Sequence, residues 1–341
     1  MSMAIMGAGS TGTIMGAILS SKNMDVTLID IHREHVKVLQ QKGATVTGAL
    51  ELSHIPVRAI TPEEMSGSFE MVFYLVKQPL NEIALPQLLP HLSPDSVVCT
   101  LQNGIPEEVV ASYVGRDRTI GVTVGWGATW LKPGISMLTT GQNRMPFGIG
   151  ELDGTIKERT QRVANILNLI GQAQITTNLK GIRWTKLLAN ASFSGMSAVL
   201  GCTFGDILDH RKALSCAAHI GNETIRVAEA LGVTLEPMLG HDFRTLAFDS
   251  TAEMKKVFPI YQEIWGAHRL LKASMLQDLE KGQKTEIEAI NGIISSFGAK
   301  TGIQTPVNDQ VVEIVKNIEA GRDHYSFDNL DKFMLPDWPP G

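Results

Sequence analysis

An α/β domain on a mostly parallel sheet, followed by an all-helical domain, is the fold class this sequence predicts. Three observations carry the prediction. Over the first half, short apolar runs rich in β-branched residues alternate with amphipathic segments. After about residue 180 the apolar positions recur every three to four residues. A chain of 341 residues also exceeds what one hydrophobic core usually serves. The expected division is an α/β domain over 1–178, a helical domain over 179–330, and an extended tail over 331–341.

The elements follow in order. "MAIM" (3–6), "DVTLID" (25–30), "EMVFYLV" (70–76), "SVVCTL" (96–101) and "RTIGVTVGW" (118–126) have the length and composition of buried strands. Helical spacing is clearest at 11–22, 33–42 and 105–113. Residues 44–60 read as additional extended chain, Pro133-Gly134 as a turn between later strands, 155–172 as a helix and 174–177 as a short strand. In the second half, Gly232, Gly302 and Gly321 stand where helices should stop, and Thr305-Pro306 where one should start.

Composition excludes several classes of function. A net charge of −5 gives no reason to expect a nucleic-acid or anionic-membrane partner. The uncharged N-terminal stretch lacks a basic leader, and its glycines, serines and threonines interrupt any spanning helix. Cys99, Cys202 and Cys216 are scattered, so a reducing, cytoplasmic setting is expected. No metal site is expected: His32 and His35 read as part of a solvated helix face, and Asp206, Asp209 and His210 as a helix-capping cluster. Nor is there a nucleophile set of the serine-hydrolase type.

The segment Gly7-Ala8-Gly9-Ser10-Thr11-Gly12 has the spacing G-x-G-x-x-G, directly after a strand and opening a helix. In that context Gly7 permits the tight turn, Gly9 lets backbone N–H groups approach a pyrophosphate, and Gly12 lets helix and strand pack closely. The competing readings are a βα turn that binds nothing and a methyltransferase-type adenosine site. Asp30, 18 residues past Gly12, suits the acid that accepts from a ribose 2′-hydroxyl. A carboxylate repels a 2′-phosphate, so Asp30 favours NAD over NADP. Arg33 nearby would offset that preference, but as a first-turn helix residue it reads as solvated.

In "RWTKLLANASFSG", Lys186, Asn190 and Ser194 follow one another at four-residue intervals on one helical face. Taken singly, Lys186 is a snorkelling surface lysine. Likewise Glu286 alone reads as an exposed helix-start carboxylate and Ser274 as a solvent-facing hydroxyl.

The order of "GAGSTG" (7–12), "VKQ" (76–78), "LQNG" (101–104), "KLLAN" (186–190), "SMLQDLEKGQKTEIEAING" (274–292) and "GIQTP" (302–306) resembles the ketopantoate reductase (2-dehydropantoate 2-reductase) family over nearly the whole chain. That resemblance implies a Rossmann domain and a helical domain with the active site in the cleft between them. It implies NAD(P)H-dependent reduction of a 2-oxo acid to an (R)-2-hydroxy acid. Lys186 would be the general acid, and Asn103, Asn190, Ser194 and Ser274 would bind substrate. Lys77, Asn103 and Glu286 would approach the cofactor, Glu286 also favouring the charged form of Lys186.

Two departures stand out. The family commonly has a second asparagine where this chain has Ser194, and it commonly takes NADPH, against the tendency of Asp30. Both traits suit related NAD-dependent (R)-2-hydroxyacid dehydrogenases acting on bulky or aromatic substrates. A non-catalytic dinucleotide-binding sensor is the alternative outside the enzymes. No partner beyond a small-molecule oxo acid is expected, and a homodimer is a candidate assembly because helical domains of this kind often pair.

Overall fold

The computed structural model describes residues 1–141 and 143–335. The chain divides into two compact units, one comprising 1–102 with 106–179 and the other 103–105 with 180–341. Asn103 therefore belongs with the second unit, although it lies among the strands of the first in sequence.

The first unit runs β1 (Met3–Met6), α1 (Ser10–Ser21), β2 (Val26–Ile29), α2 (Arg33–Lys42), β3 (Ala44–Gly48), β4 (Leu52–Ile55), β5 (Arg58–Ile60), β6 (Phe69–Tyr74), α3 (Asn81–Leu88) and β7 (Leu92–Thr100). It continues with α4 (Glu107–Val114), β8 (Thr119–Val124), β9 (Ala128–Lys132), β10 (Ile135–Leu138), β11 (Pro146–Glu151), α5 (Glu158–Leu167) and β12 (Gln172–Ile175). Eight strands form the main sheet in the order β12-β11-β8-β7-β6-β1-β2-β5. Every pairing in it is parallel except β11 with β8.

Strand β1 shows why its sequence is apolar throughout. Its alternating side chains serve two cores: Met3 and Ile5 pack in one cluster, Ala4 and Met6 in the other. The first cluster includes residues of α1, α2 and α5, the second residues of α3 and α4. Helix α3 carries Pro86 inside it, which obscured its pattern in the sequence. The extended chain expected over 44–60 resolves into three strands. Of these, β3 and β4 join β9 and β10 in a separate four-stranded sheet ordered β4-β3-β10-β9, with Thr45 paired to Ile135. That long-range pairing has no local signal.

The second unit contains α6 (Leu179–Ala189, its first residue counted with the first unit), a π-helical turn (Asn190–Gly195), α7 (Met196–Leu200), α8 (Phe204–Asp209) and α9 (Arg211–Ala230). Helices α10 (Thr251–Trp265), α11 (Ser274–Glu280), α12 (Ile287–Thr301) and α13 (Pro306–Glu319) complete it. The long helix α9 is central, its buried side chains forming one cluster with those of α10, α12 and α13. Thr203 and Asp206 cap α8 reciprocally, and His210 caps α9 by accepting from the Ala213 N–H. Phe333 and Leu335 pack into the same cluster; the rest of the expected tail, 336–341, lies outside the described residues. No helix among the described residues is long and apolar enough to cross a membrane.

Candidate active site

In the first unit the glycine loop is built by steric necessity at two positions and by openness at a third. Gly7 has φ +97°, and a Cβ there would stand 2.8 Å from the backbone of Leu75 and Val76. A Cβ on Gly12 would collide with the Gly7 carbonyl, so only glycine lets α1 start this close to the loop. At Gly9 an added Cβ would meet nothing within 4 Å. The fold itself does not require a glycine there, which suits a residue kept small for a ligand.

The N–H groups of Gly7 and Ala8 both donate to the Ile29 carbonyl, at 2.9 and 3.2 Å, and tie the loop to the end of β2. No side chain caps α1 and no acid sits in its first turn. The amides of Ser10, Thr11 and Gly12 precede the first bond of the helix, Thr13 N–H to the Gly9 carbonyl. These features fit a dinucleotide diphosphate.

Asp30 follows β2 immediately, and its Oδ1 accepts the His32 N–H at 2.9 Å. Arg33 is solvent-exposed and lies 3.9 Å from Glu63, as a solvated residue should. Lys77 precedes the single turn Gln78–Leu80 after β6. Beside it, Gln102 Nε2 donates to the Val76 carbonyl at 2.6 Å and to Asn81 Oδ1 at 2.7 Å, and Tyr74 Oη donates to the same Asn81 oxygen at 3.0 Å. Gln102 and Asn81 thus hold the loop that carries Lys77, a role the sequence did not disclose.

His35 corrects an expectation. It is 1% exposed rather than part of a solvated face. The Gly134 N–H donates to its Nδ1 at 2.9 Å, so Nε2 carries the proton and donates to the Ala8 carbonyl at 2.8 Å. The Thr13 hydroxyl donates to the same carbonyl at 2.7 Å. Burial pulls the His35 pKa below its ordinary value, against an upward pull from Asp30. A neutral histidine therefore buttresses the glycine loop. Its partner Gly134 lies on the β9–β10 turn, 99 residues away, which is why helix periodicity missed it.

In the second unit, α6 buries Arg183, Trp184, Thr185, Leu187 and Leu188 and leaves Ile182, Lys186 and Ala189 half-buried. The half-buried stripe continues through Asn190 and Ser194. The even four-residue spacing expected of a single α-helix does not hold along all of it. Asn190 to Gly195 form a π-turn, in which four residues complete less than one turn.

Lys186 does not snorkel as an isolated lysine would. Burial pulls its ammonium down to about 7; the Arg183 charge adds to that pull, the Glu286 carboxylate opposes it, and no hydrogen bond contributes. Arg183, 1% exposed and one turn before Lys186, is a tuning charge overlooked in the sequence. Glu286 stands at the N-cap of α12, yet it is 8% exposed rather than solvated. The Asn103 amide donates to its Oε2 at 3.4 Å, so Asn103, Glu286 and Lys186 form one electrostatic group. Ser274 is exposed at the first residue of α11. Among the described residues no hydrogen bond links it to Lys186, Asn190 or Ser194. No cluster of metal-ligating side chains occurs among the described residues.

Residues 3–151 match the family model described as ketopantoate reductase PanE/ApbA, and residues 178–319 match the model of its C-terminal domain. The chain belongs to the ketopantoate reductase family. A 2-dehydropantoate 2-reductase of Archaeoglobus fulgidus is 28% identical over 319 residues, covering 93% of this chain and 97% of that one. One from Mesorhizobium japonicum is 27% identical, covering 96% and 100%. Among solved structures, D-mandelate dehydrogenase with NADH and anilino(oxo)acetate shares the fold at a TM-score of 0.82 and 23% identity, covering 94% of this chain and 99% of that one. The 2-dehydropantoate 2-reductase of Geobacter metallireducens does so at 0.79 and 24%, covering 93% and 99%. As a member of the ketopantoate reductase family, the chain is an oxidoreductase acting on CH–OH with a nicotinamide dinucleotide cofactor.

Proposed function

We propose that this ketopantoate reductase family member reduces a 2-oxo acid, 2-dehydropantoate or a close relative, to the (R)-2-hydroxy acid. The observation that carries the reading is Lys186: a half-buried lysine beside Glu286, on the same stripe as Asn190, with its ammonium pulled down to about 7. An acid of that strength gives up its proton near neutral pH.

When bound, the nicotinamide supplies the hydride that goes to C2. The rest of the chemistry falls to the chain. Gly7, Ala8, Gly9, Ser10, Thr11 and Gly12 hold the diphosphate, and Asp30 accepts from the ribose 2′-hydroxyl. Lys77 contacts the cofactor, as does Glu286 at its ribose. In the second unit, Asn190, Ser194 and Ser274 hold the oxo acid, and Asn103 contacts substrate and the nicotinamide end. Lys186 places its positive charge against the C2 oxygen as negative charge develops there, then donates the proton that completes the alcohol. Glu286 keeps enough of the lysine charged to do so.

Asp30 favours NADH over NADPH. It also supports, together with the short Ser194, a second reading: an NAD-dependent (R)-2-hydroxyacid dehydrogenase for a bulkier or aromatic substrate. One experiment addresses both. A panel of aliphatic and aromatic 2-oxo acids is assayed with NADH and with NADPH, using the wild type and Lys186→Ala. Turnover of 2-dehydropantoate that collapses in the variant supports the first reading, and preference for an aromatic acid the second. Cofactor binding without turnover of any acid would leave a dinucleotide-binding sensor and defeat both.

A further inference from the structure

The π-turn that carries Asn190 and Ser194 is held from behind by a relay of buried side chains. A π-turn breaks the α-helical bonding pattern, and buried carbonyls displaced from that pattern need other donors. Here the Ala191 carbonyl, inside the turn, accepts from Asn291 Nδ2 at 3.2 Å. The same amide donates to Asn308 Oδ1 at 3.0 Å. Asn308 Nδ2 in turn donates to Glu223 Oε2 at 2.6 Å, and Glu223 also accepts the N–H groups of Val307 and Asn308, at 2.9 and 3.0 Å.

The polarity of the relay is set at its far end. Burial pulls the Glu223 carboxyl up to about 7, yet its two oxygens already accept from the Val307 and Asn308 N–H groups. An oxygen engaged in this way turns the Asn308 amide nitrogen toward it and leaves the Asn308 oxygen for Asn291. Asn291 then presents its own nitrogen to Ala191. Asn291 and Asn308 are both fully buried. Gly195 closes the turn, and a Cβ there would stand 2.8 Å from Asn291 Oδ1 and 3.0 Å from Val311. The glycine lets Asn291 approach the turn at this range.

We infer that Asn291 is a positioning residue for substrate: by holding the Ala191 carbonyl it fixes the π-turn that aims Asn190 and Ser194, with Asn308 and Glu223 orienting its amide. The inference rests on the proposed reading of Asn190 and Ser194 as substrate residues. It assigns Asn291 no contact with substrate or cofactor.

The test compares Asn291→Ala, Asn190→Ala and the double variant, using the best oxo acid of the panel and measuring kcat, KM and the Kd for NADH. Loss of one buried neutral hydrogen bond corresponds to about a five- to tenfold rise in KM for Asn291→Ala, with the NADH Kd unchanged. Because Asn291 acts through the turn bearing Asn190, the double variant should be little worse than the worse single one. A folded Asn291→Ala with wild-type KM, a parallel loss of NADH affinity, or fully additive effects would each overturn the inference. If Asn190→Ala and Ser194→Ala leave KM unchanged in an otherwise native chain, it is the substrate reading that fails, independently of Asn291. Should Asn291→Ala not fold, Asn291→Leu keeps the side-chain volume while offering the Ala191 carbonyl no donor, and it must raise KM in the same selective way; an unchanged KM there also refutes the inference.

Discussion

Replacing Lys186 with methionine should make the protein more stable at low pH while removing its chemistry. In the unfolded chain this lysine holds its proton up to about pH 10.5, whereas in the folded chain it releases it near 7. Between those values the unfolded chain binds more protons, so the stability of the wild type rises with pH. The penalty for burying the ammonium is complete below about pH 7 and has vanished above about 10.5. That interval sets a ceiling of about 5 kcal/mol, and because the side chain keeps some solvent contact, roughly half is a sounder expectation, about 2–3 kcal/mol. Methionine fills a similar volume and carries no such penalty.

Urea unfolding of both proteins, followed by circular dichroism from pH 6 to pH 10, reads the difference directly. Lys186→Met should be more stable by about 2–3 kcal/mol at pH 6, and the advantage should shrink steadily as pH rises. Turnover should fall by about 10²- to 10⁴-fold with NADH binding retained. A variant that is less stable at pH 6, or whose advantage does not change with pH, would refute the argument that burial strains this ammonium.

Three further outcomes are expected. Asp30→Ala should weaken NADH more than NADPH, read as the ratio of their Kd values; an unmoved ratio removes the case for NAD. His35→Leu leaves the Gly134 N–H and the Ala8 carbonyl without their partner, so it should cost about 1–3 kcal/mol of stability and weaken dinucleotide binding. Because the folded His35 pKa is lowered, its contribution is complete above pH 6.5 and lost as pH falls. The wild-type advantage in Tm over His35→Leu should therefore narrow on acidification. Gly12→Val sets a branched side chain against the Gly7 carbonyl and should abolish dinucleotide binding in titrations, while Gly9→Ala, with open space around it, should fold normally and impair only the cofactor's approach.

Much of this protein was legible along the chain because the relevant signals are local. The strand preceding Gly7, the helix following it and the position of Asp30 are set by neighbours a few residues apart, and so are most helices of the second unit. The candidate site residues were proposed from motifs that each lie within a single segment, such as Lys186 with Asn190, read together with the family resemblance that the order of those motifs carries.

What depended on tertiary structure were environments and pairings created by distant segments. Residues 44–48 could be read as extended, but their partner is the β9–β10 hairpin some ninety residues later. His35 and Glu286 each sit where a helix begins, and local pattern made both solvated; packing from elsewhere in the fold buried them and gave them partners. The spacing of Lys186, Asn190 and Ser194 implied one continuous α-helical face. The π-turn is supported from α12, with Asn291 reaching the Ala191 carbonyl across 100 residues of sequence. Periodicity reports which side of an element is apolar, whereas burial of a charge and the hydrogen bond that answers a displaced carbonyl depend on which other element arrives to cover it.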